Sequence, residues 1–196
     1  MKKVAIVLLL FNLSGFLAAQ NNPLLRFNEQ RLATNKKAML VLGGWALGNI
    51  AIGSVMVGQQ EGRGKYFHQM NIGWGAVNLG IASFAYLSAY KANPGDYDIF
   101  QTINEQYSLQ KILLFNAGLD LAYMASGAYL IERSKNVENR PERLKGFGQS
   151  ILLQGAFLFV FDIGTYLIQN SHNKSLQPLL EGLSFQGNGI GWKMVF

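Results

Sequence analysis

The chain contains no cysteine, which excludes disulfides, thiolate metal sites and cysteine nucleophiles outright. Charge is scarce as well. Only 14% of the 196 residues are Asp, Glu, Lys or Arg, against roughly 25% in soluble domains. No H-E-x-x-H zinc motif, phosphate-binding loop or dinucleotide fingerprint occurs, and Ser54, Ser126 and Ser150 sit in no G-x-S-x-G setting with a histidine partner. An enzyme is therefore the weakest functional class. A formal charge of +6 raises nucleic-acid binding only to dismiss it. Lys2 and Lys3 belong to a targeting segment, and much of the remaining basic charge lies in loops between apolar runs. That is orientation charge.

Apolar and aromatic residues are plentiful. Hydrophobic residues make up 49% of the chain, with 13 Phe, 8 Tyr, 3 Trp and 22 Gly, a composition suited to closely packed membrane helices with interfacial aromatics. Residues 1–19 have a basic start, an apolar core and small residues, Ala18 and Ala19, at the end. This is the three-part form of a secretory signal peptide cleaved after Ala19; the alternative, an uncleaved first span, is short for a bilayer. Residues 20–37 mix Leu24, Leu25, Phe27 and Leu32 with Arg26, Arg31, Lys36 and Lys37. They read as an amphipathic lead-in lying on the membrane surface, or as a plain solvated segment.

Residues 38–169 hold four apolar runs, at about 38–58, 70–90, 110–131 and 148–168. The fold class expected is an all-α integral membrane four-helix bundle. The small-residue pairs Gly44/Gly48 and Ala76/Gly80 offer faces for close helix approach. Pro94-Gly95 marks a turn between the second and third spans. Residues 170–196 form a C-terminal tail, in which GNGIGWKMVF reads as a hairpin turn and a short strand carrying Trp192, Met194 and Phe196 on one face. Its end resembles that of an outer-membrane barrel, but the rest of the chain lacks a barrel's repeated alternating strands.

The halves echo one another. RxKxFxQ precedes the second span (Arg63, Lys65, Phe67, Gln69) and the fourth (Arg143, Lys145, Phe147, Gln149), and an NEQ triplet precedes the first and third. The pattern is that of two duplicated helical hairpins. With a signal peptide at the start, both mature termini fall on the periplasmic side of a bacterial inner membrane, and the basic loops between spans fall inside. His68 and His172 then lie at opposite edges and cannot share a metal ion. No metal or other cofactor is expected.

The polar residues inside the spans are the sharpest signal. Asn49, Asn78, Asn116, Asp120 and Asp162 lie at similar depth, and apart from Lys111 at the edge of the third span no Lys or Arg lies inside the spans to neutralise the two carboxylates. Burying an ionised Asp in a bilayer costs about 3 kcal/mol even on permissive scales. These side chains are expected to meet in one intramembrane polar layer, with His68, Asn71 and Trp74 at an entrance. The signal segment, the FHQMN and WGAVN stretches at residues 67–71 and 74–78, and the four spans resemble small uncharacterised bacterial membrane proteins assigned to a domain of unknown function. That resemblance brings no activity with it.

Two functional expectations follow. One is a non-enzymatic structural or accessory membrane subunit that meets the lipid bilayer and associates with a second copy or a membrane partner through its small-residue faces. The other is a proton- or cation-coupled carrier of small solutes, dimeric because four spans are few, with Asp120 and Asp162 as coupling carboxylates.

Overall fold

The computed structural model describes residues 22–181, 183–186 and 189–192. The signal segment, Met194 and Phe196 lie outside them. Four long helices dominate: α1 (Pro23–Gln59), α2 (Gly62–Lys91), α3 (Ile99–Arg133) and α4 (Pro141–His172). A short helix α5 (Gln177–Glu181) leads into a two-stranded antiparallel hairpin, β1 (Leu183–Gln186) and β2 (Gly189–Trp192), with Leu183 opposite Trp192. The strand read from the tail thus has a partner just upstream.

Each helix starts where local chemistry permits. Pro23 fills the first position of α1, and the Asn22 side chain accepts from the backbone N–H groups of Leu24 and Leu25 at 3.0 and 3.3 Å. Gly62 opens α2 at φ +52, a left-handed conformation that favours glycine and lets the chain reverse within two residues of α1. Asp98 and Gln101 form a reciprocal capping box on α3, with bonds of 2.8 and 3.0 Å. Pro141 begins α4.

α1 packs along α2 and α3 along α4, and the two hairpins meet chiefly through their second helices, α2 and α4. Glycine sets the spacing within each hairpin. A Cβ on Gly75 would lie 2.8 Å from the Ala46 carbonyl oxygen, and one on Gly155 2.9 Å from that of Asp120. Gly127 and Gly148 are mutually locked: a Cβ on either falls 2.6–2.7 Å from the other's carbonyl oxygen. The small-residue pairs that the sequence singles out sit elsewhere. A Cβ added at Gly44, Gly48 or Gly80 would meet no atom within 4 Å, and Ala76 is exposed. Those faces remain unused inside the chain.

The segment at residues 23–37 is helical but does not lie apart on a surface. It continues unbroken into the first span, and Phe27, Asn28, Arg31 and Leu32 are buried in the bundle. At 37 residues and 1.5 Å per residue, α1 is about 55 Å long, well beyond a hydrocarbon core of about 30 Å. One end of the bundle therefore projects past any membrane the apolar part could occupy. Phe27, Ile99 and Leu176 close that end, with Leu24 and Ile103 packed against them.

The distribution of polarity is inverted relative to a water-soluble bundle. Asn71, Asn78, Asp120, Gln154 and Asp162 are buried, while Phe84 (79% exposed), Phe115 (68%) and Val160 (70%) face outwards. α1, α2 and the fourth helix are long and apolar enough to cross a membrane. α3 falls outside that set for a structural reason. Thr102, Gln106, Gln110 and Asp120 point inwards at helical spacing, while Phe100, Tyr107, Ile112, Phe115, Leu121 and Tyr129 point out. Averaged hydropathy hides an apolar outer face of that kind.

Candidate functional site

Gln154 is the hub of the interior. It comes from the middle of α4, is fully buried, and binds three side chains on two other helices. Its Oε1 accepts from the Trp45 indole N–H at 2.8 Å, and its Nε2 donates to Asn49 Oδ1 at 2.8 Å and Asn71 Oδ1 at 3.0 Å. Asn71 Oδ1 also accepts from the Ser150 hydroxyl at 2.6 Å. Asn49 donates back to the Trp45 carbonyl at 2.7 Å. One amide thus joins α1, α2 and α4 in a low-dielectric interior, where a satisfied network rigidifies the packing. The Trp45 ring stacks on Phe157 with centroids 4.0 Å apart, which fixes the indole that Gln154 reads.

The two carboxylates form a second group. Asp120 on α3 and Asp162 on α4 are 3% and 6% exposed, and their carboxyl groups lie within hydrogen-bonding reach of each other. A hydrogen bond between two carboxyl groups requires a proton on one of them, so the pair is joined while it holds one proton. Asp120 Oδ2 is buried without a partner among the described residues, and so is Asn78 Nδ2. Asn116, one turn before Asp120, is half-buried. The single layer expected from Asn49, Asn78, Asn116, Asp120 and Asp162 is therefore divided. Asn49 belongs to the Gln154 network, and Asp120 pairs with Asp162.

A third polar group lies at the projecting end. The buried Arg31 guanidinium donates to Asn28 Oδ1 at 3.1 Å, approaches Glu105 at 3.8 Å and stacks 4.7 Å from the Tyr97 ring centroid. Asn28 donates to Thr102 at 2.8 Å. Gln106 donates to the Gln169 carbonyl at 2.7 Å and to Asn173 Oδ1 at 3.0 Å. Sequence reasoning missed this cluster. Arg31 reads as surface charge until the partners from α3 are in place.

A cavity of about 300 Å³ opens beside the Gln154 hub. Trp45, Asn49, His68 and Asn71 line it, and Gly44, Gly48, Ile52 and Leu153 are among the residues around it. Of the three residues expected at an entrance, His68 and Asn71 line this cavity. Trp74 does not line it; its ring packs against Tyr123, centroids 5.0 Å apart.

The residues of the hub, the carboxyl pair and the cavity fall within one family model, which matches residues 41–163 and is described as a family of unknown function, DUF6992. The chain belongs to that family. The match begins inside α1 after the Arg31 cluster and ends just past Asp162. Gln154, the carboxyl pair and the lateral cavity are therefore all inside the DUF6992 region, while Asn28 and Arg31 are outside it. No curated protein and no solved structure matches the chain.

Proposed function

We propose that this DUF6992 chain is a membrane-embedded structural or accessory subunit without an enzymatic activity of its own. The observation that carries this reading is the inverted polarity: hydrogen-bonded amides and carboxyls inside, large apolar side chains outside. A bundle of that kind gains nothing from water and hides its backbone and polar groups from lipid. Its interior is spent on fixing helix positions, since the Gln154 amide makes three hydrogen bonds to side chains of its own chain.

The face left for a partner is the outer side of α2. Ala76 and Gly80 are exposed there one turn apart, and a Cβ at Gly73 or Gly80 would meet nothing within 4 Å. A second copy or a membrane partner docks closely on such a face. Substituting Gly80→Leu is expected to abolish association in mild detergent, measured by cross-linking and size, while the monomer melts as before. Wild type that is strictly monomeric and partnerless under those conditions contradicts the reading.

Residence in a bacterial inner membrane, with both mature termini periplasmic and residues 1–19 removed as a signal peptide, completes the proposal. The α1–α2 and α3–α4 connections lie at one end, where Gly146 touches the Arg63 backbone. That end carries Arg63, Lys65, Arg133, Lys135, Arg140, Arg143 and Lys145, and the other carries Arg26, Arg31, Lys36, Lys37, Lys91, Lys111 and Lys174, so the orientation rests on the signal peptide and not on a charge bias. The meeting of two tight hairpins along α2 and α4, with Arg63 and Arg143 each in a first helical turn, supports an origin by duplication. A reporter enzyme active only in the periplasm is expected to be silent when inserted at residues 136–140.

The rival reading, a dimeric proton- or cation-coupled carrier, draws on the Asp120–Asp162 pair. The two readings part at Asp162→Asn. An amide supplies the N–H that the carboxyl pair otherwise needs a proton for, so a structural pair is expected to tolerate it with less than about 1 kcal/mol of lost stability. A coupling pair would fold equally well but lose all flux driven by a pH gradient across proteoliposomes.

A further inference from the structure

The cavity beside Gln154 has two kinds of wall. Its outer rim includes Gly44, Gly48, Ile52 and Leu153. Ile52 is 62% exposed and Leu153 41%, so the opening faces the same side as the apolar surface of the bundle. The rim stays open because the two glycines place no side chain across it; a Cβ on either has nothing within 4 Å. The floor is polar, made of Asn49, His68 and Asn71.

The hydrogen-bond inventory of that floor is only partly spent. Asn49 is spent, its Nδ2 on the Trp45 carbonyl and its Oδ1 on Gln154. Asn71 uses its Oδ1 twice, for Ser150 and Gln154, while its Nδ2 donates to no described residue. His68 Nδ1 is buried without a partner. A neutral imidazole carries one N–H, and burying that N–H unbonded is the costlier choice. The proton of the neutral ring is therefore assigned to Nε2. The floor then offers two unspent donors, Asn71 Nδ2–H and His68 Nε2–H, beside one unspent acceptor, His68 Nδ1.

We propose that this cavity binds a bilayer-borne amphiphile, its apolar chain entering between Gly44, Gly48 and Leu153 and its carbonyl or carboxylate oxygen accepting from Asn71 and His68. The volume lies at the small end of ligand cavities, which run from about 300 to 1,000 Å³, and so holds a single chain or ring. The acceptor oxygen comes from either of two sources, a free fatty acid or the ester of a phospholipid. The inference rests on the membrane reading above, since it needs lipid at the rim.

The test is photolabelling of the full chain in nanodiscs with three probes carrying the same chain-borne diazirine: a free fatty acid, a phosphatidylglycerol, and an alkane lacking any oxygen. Labelled peptides are mapped by mass spectrometry. The oxygen-bearing probes are expected to concentrate on the stretches containing Gly48 and His68. Which of the two does so identifies the source, and both doing so assigns the shared oxygen chemistry. Gly48→Leu, which fills the rim where there is room, is expected to cut that labelling about tenfold with the melting temperature unchanged. His68→Leu is expected to cut it about fivefold, the worth of one hydrogen bond of about 1 kcal/mol, and to leave alkane labelling as it was. Equal labelling of all outward faces by all three probes, indifferent to Gly48→Leu, means annular lipid only and overturns the site. Alkane labelling absent even from Phe84 and Val160 would instead sink the membrane reading itself.

Discussion

Replacing Gly148 with valine is expected to unfold the second hairpin. A Cβ at Gly148 falls 2.6 Å from the Gly127 carbonyl oxygen and 3.0 Å from the Ile131 backbone nitrogen, and the reciprocal contact at Gly127 is 2.7 Å. The obstacles are backbone atoms of a neighbouring helix and cannot rotate away. α3 and α4 must separate, which strips contacts along their whole shared length. Overpacking of a core typically costs about 1–3 kcal/mol and occasionally more; with two helix backbones as the obstacle, at least about 3 kcal/mol is expected. Gly44→Val is the matched control, because nothing lies within 4 Å of its added Cβ. Thermal unfolding in detergent should show Gly148→Val far below wild type and Gly44→Val beside it. Equal melting of the two variants would contradict the helix crossing described here.

The second large effect is expected at Gln154. Gln154→Leu keeps the approximate volume but removes every bond of the hub. The Trp45 indole N–H and Asn49 Oδ1 lose the partner described for them, whereas Asn71 Oδ1 keeps Ser150. Orphaning a buried polar group costs about 1–3 kcal/mol, and interhelical bonds in membranes fall towards the lower end. With Trp45 and Asn49 only half-buried, a total loss of about 2–3 kcal/mol is expected. Trp45→Phe in the Gln154→Leu background should cost less than Trp45→Phe in wild type. That coupling is read from a double-mutant cycle of melting curves, and additive losses would mean that the hub does not act as a unit.

Much of the architecture was legible because long apolar runs leave few choices. Four helices, the turn at Pro94-Gly95 and the interior position of Asp120 and Asp162 follow from composition, from turn chemistry and from the cost of facing lipid with a carboxylate. The same rule extended to every amide points to Gln154, which stands in the apolar stretch SILLQGAFLF at residues 150–159. Other features depend on the crossing of distant segments. Gly127 and Gly148 matter because of where two helices meet, and spacing within one helix cannot reveal that; it picks out Gly44/Gly48 and Ala76/Gly80 instead. Arg31 was opaque for a similar reason. It is buried by Asn28 on its own helix, Tyr97 just before α3 and Glu105 within it, and a charged side chain gives no local sign that such partners await it.

α3 offers the most direct test of an inside-out membrane bundle, because its apolar face is concealed in its average composition. The absence of native cysteine makes single-site labelling clean. Spin labels placed by Ile112→Cys, Phe115→Cys, Leu121→Cys and Tyr129→Cys in nanodiscs should be relaxed strongly by oxygen, which partitions into lipid, and weakly by a water-soluble nickel chelate. The label at Glu105→Cys, near the projecting end, should show the reverse. Strong relaxation by the nickel chelate at Phe115 and Leu121 would place α3 in water and contradict the inverted bundle.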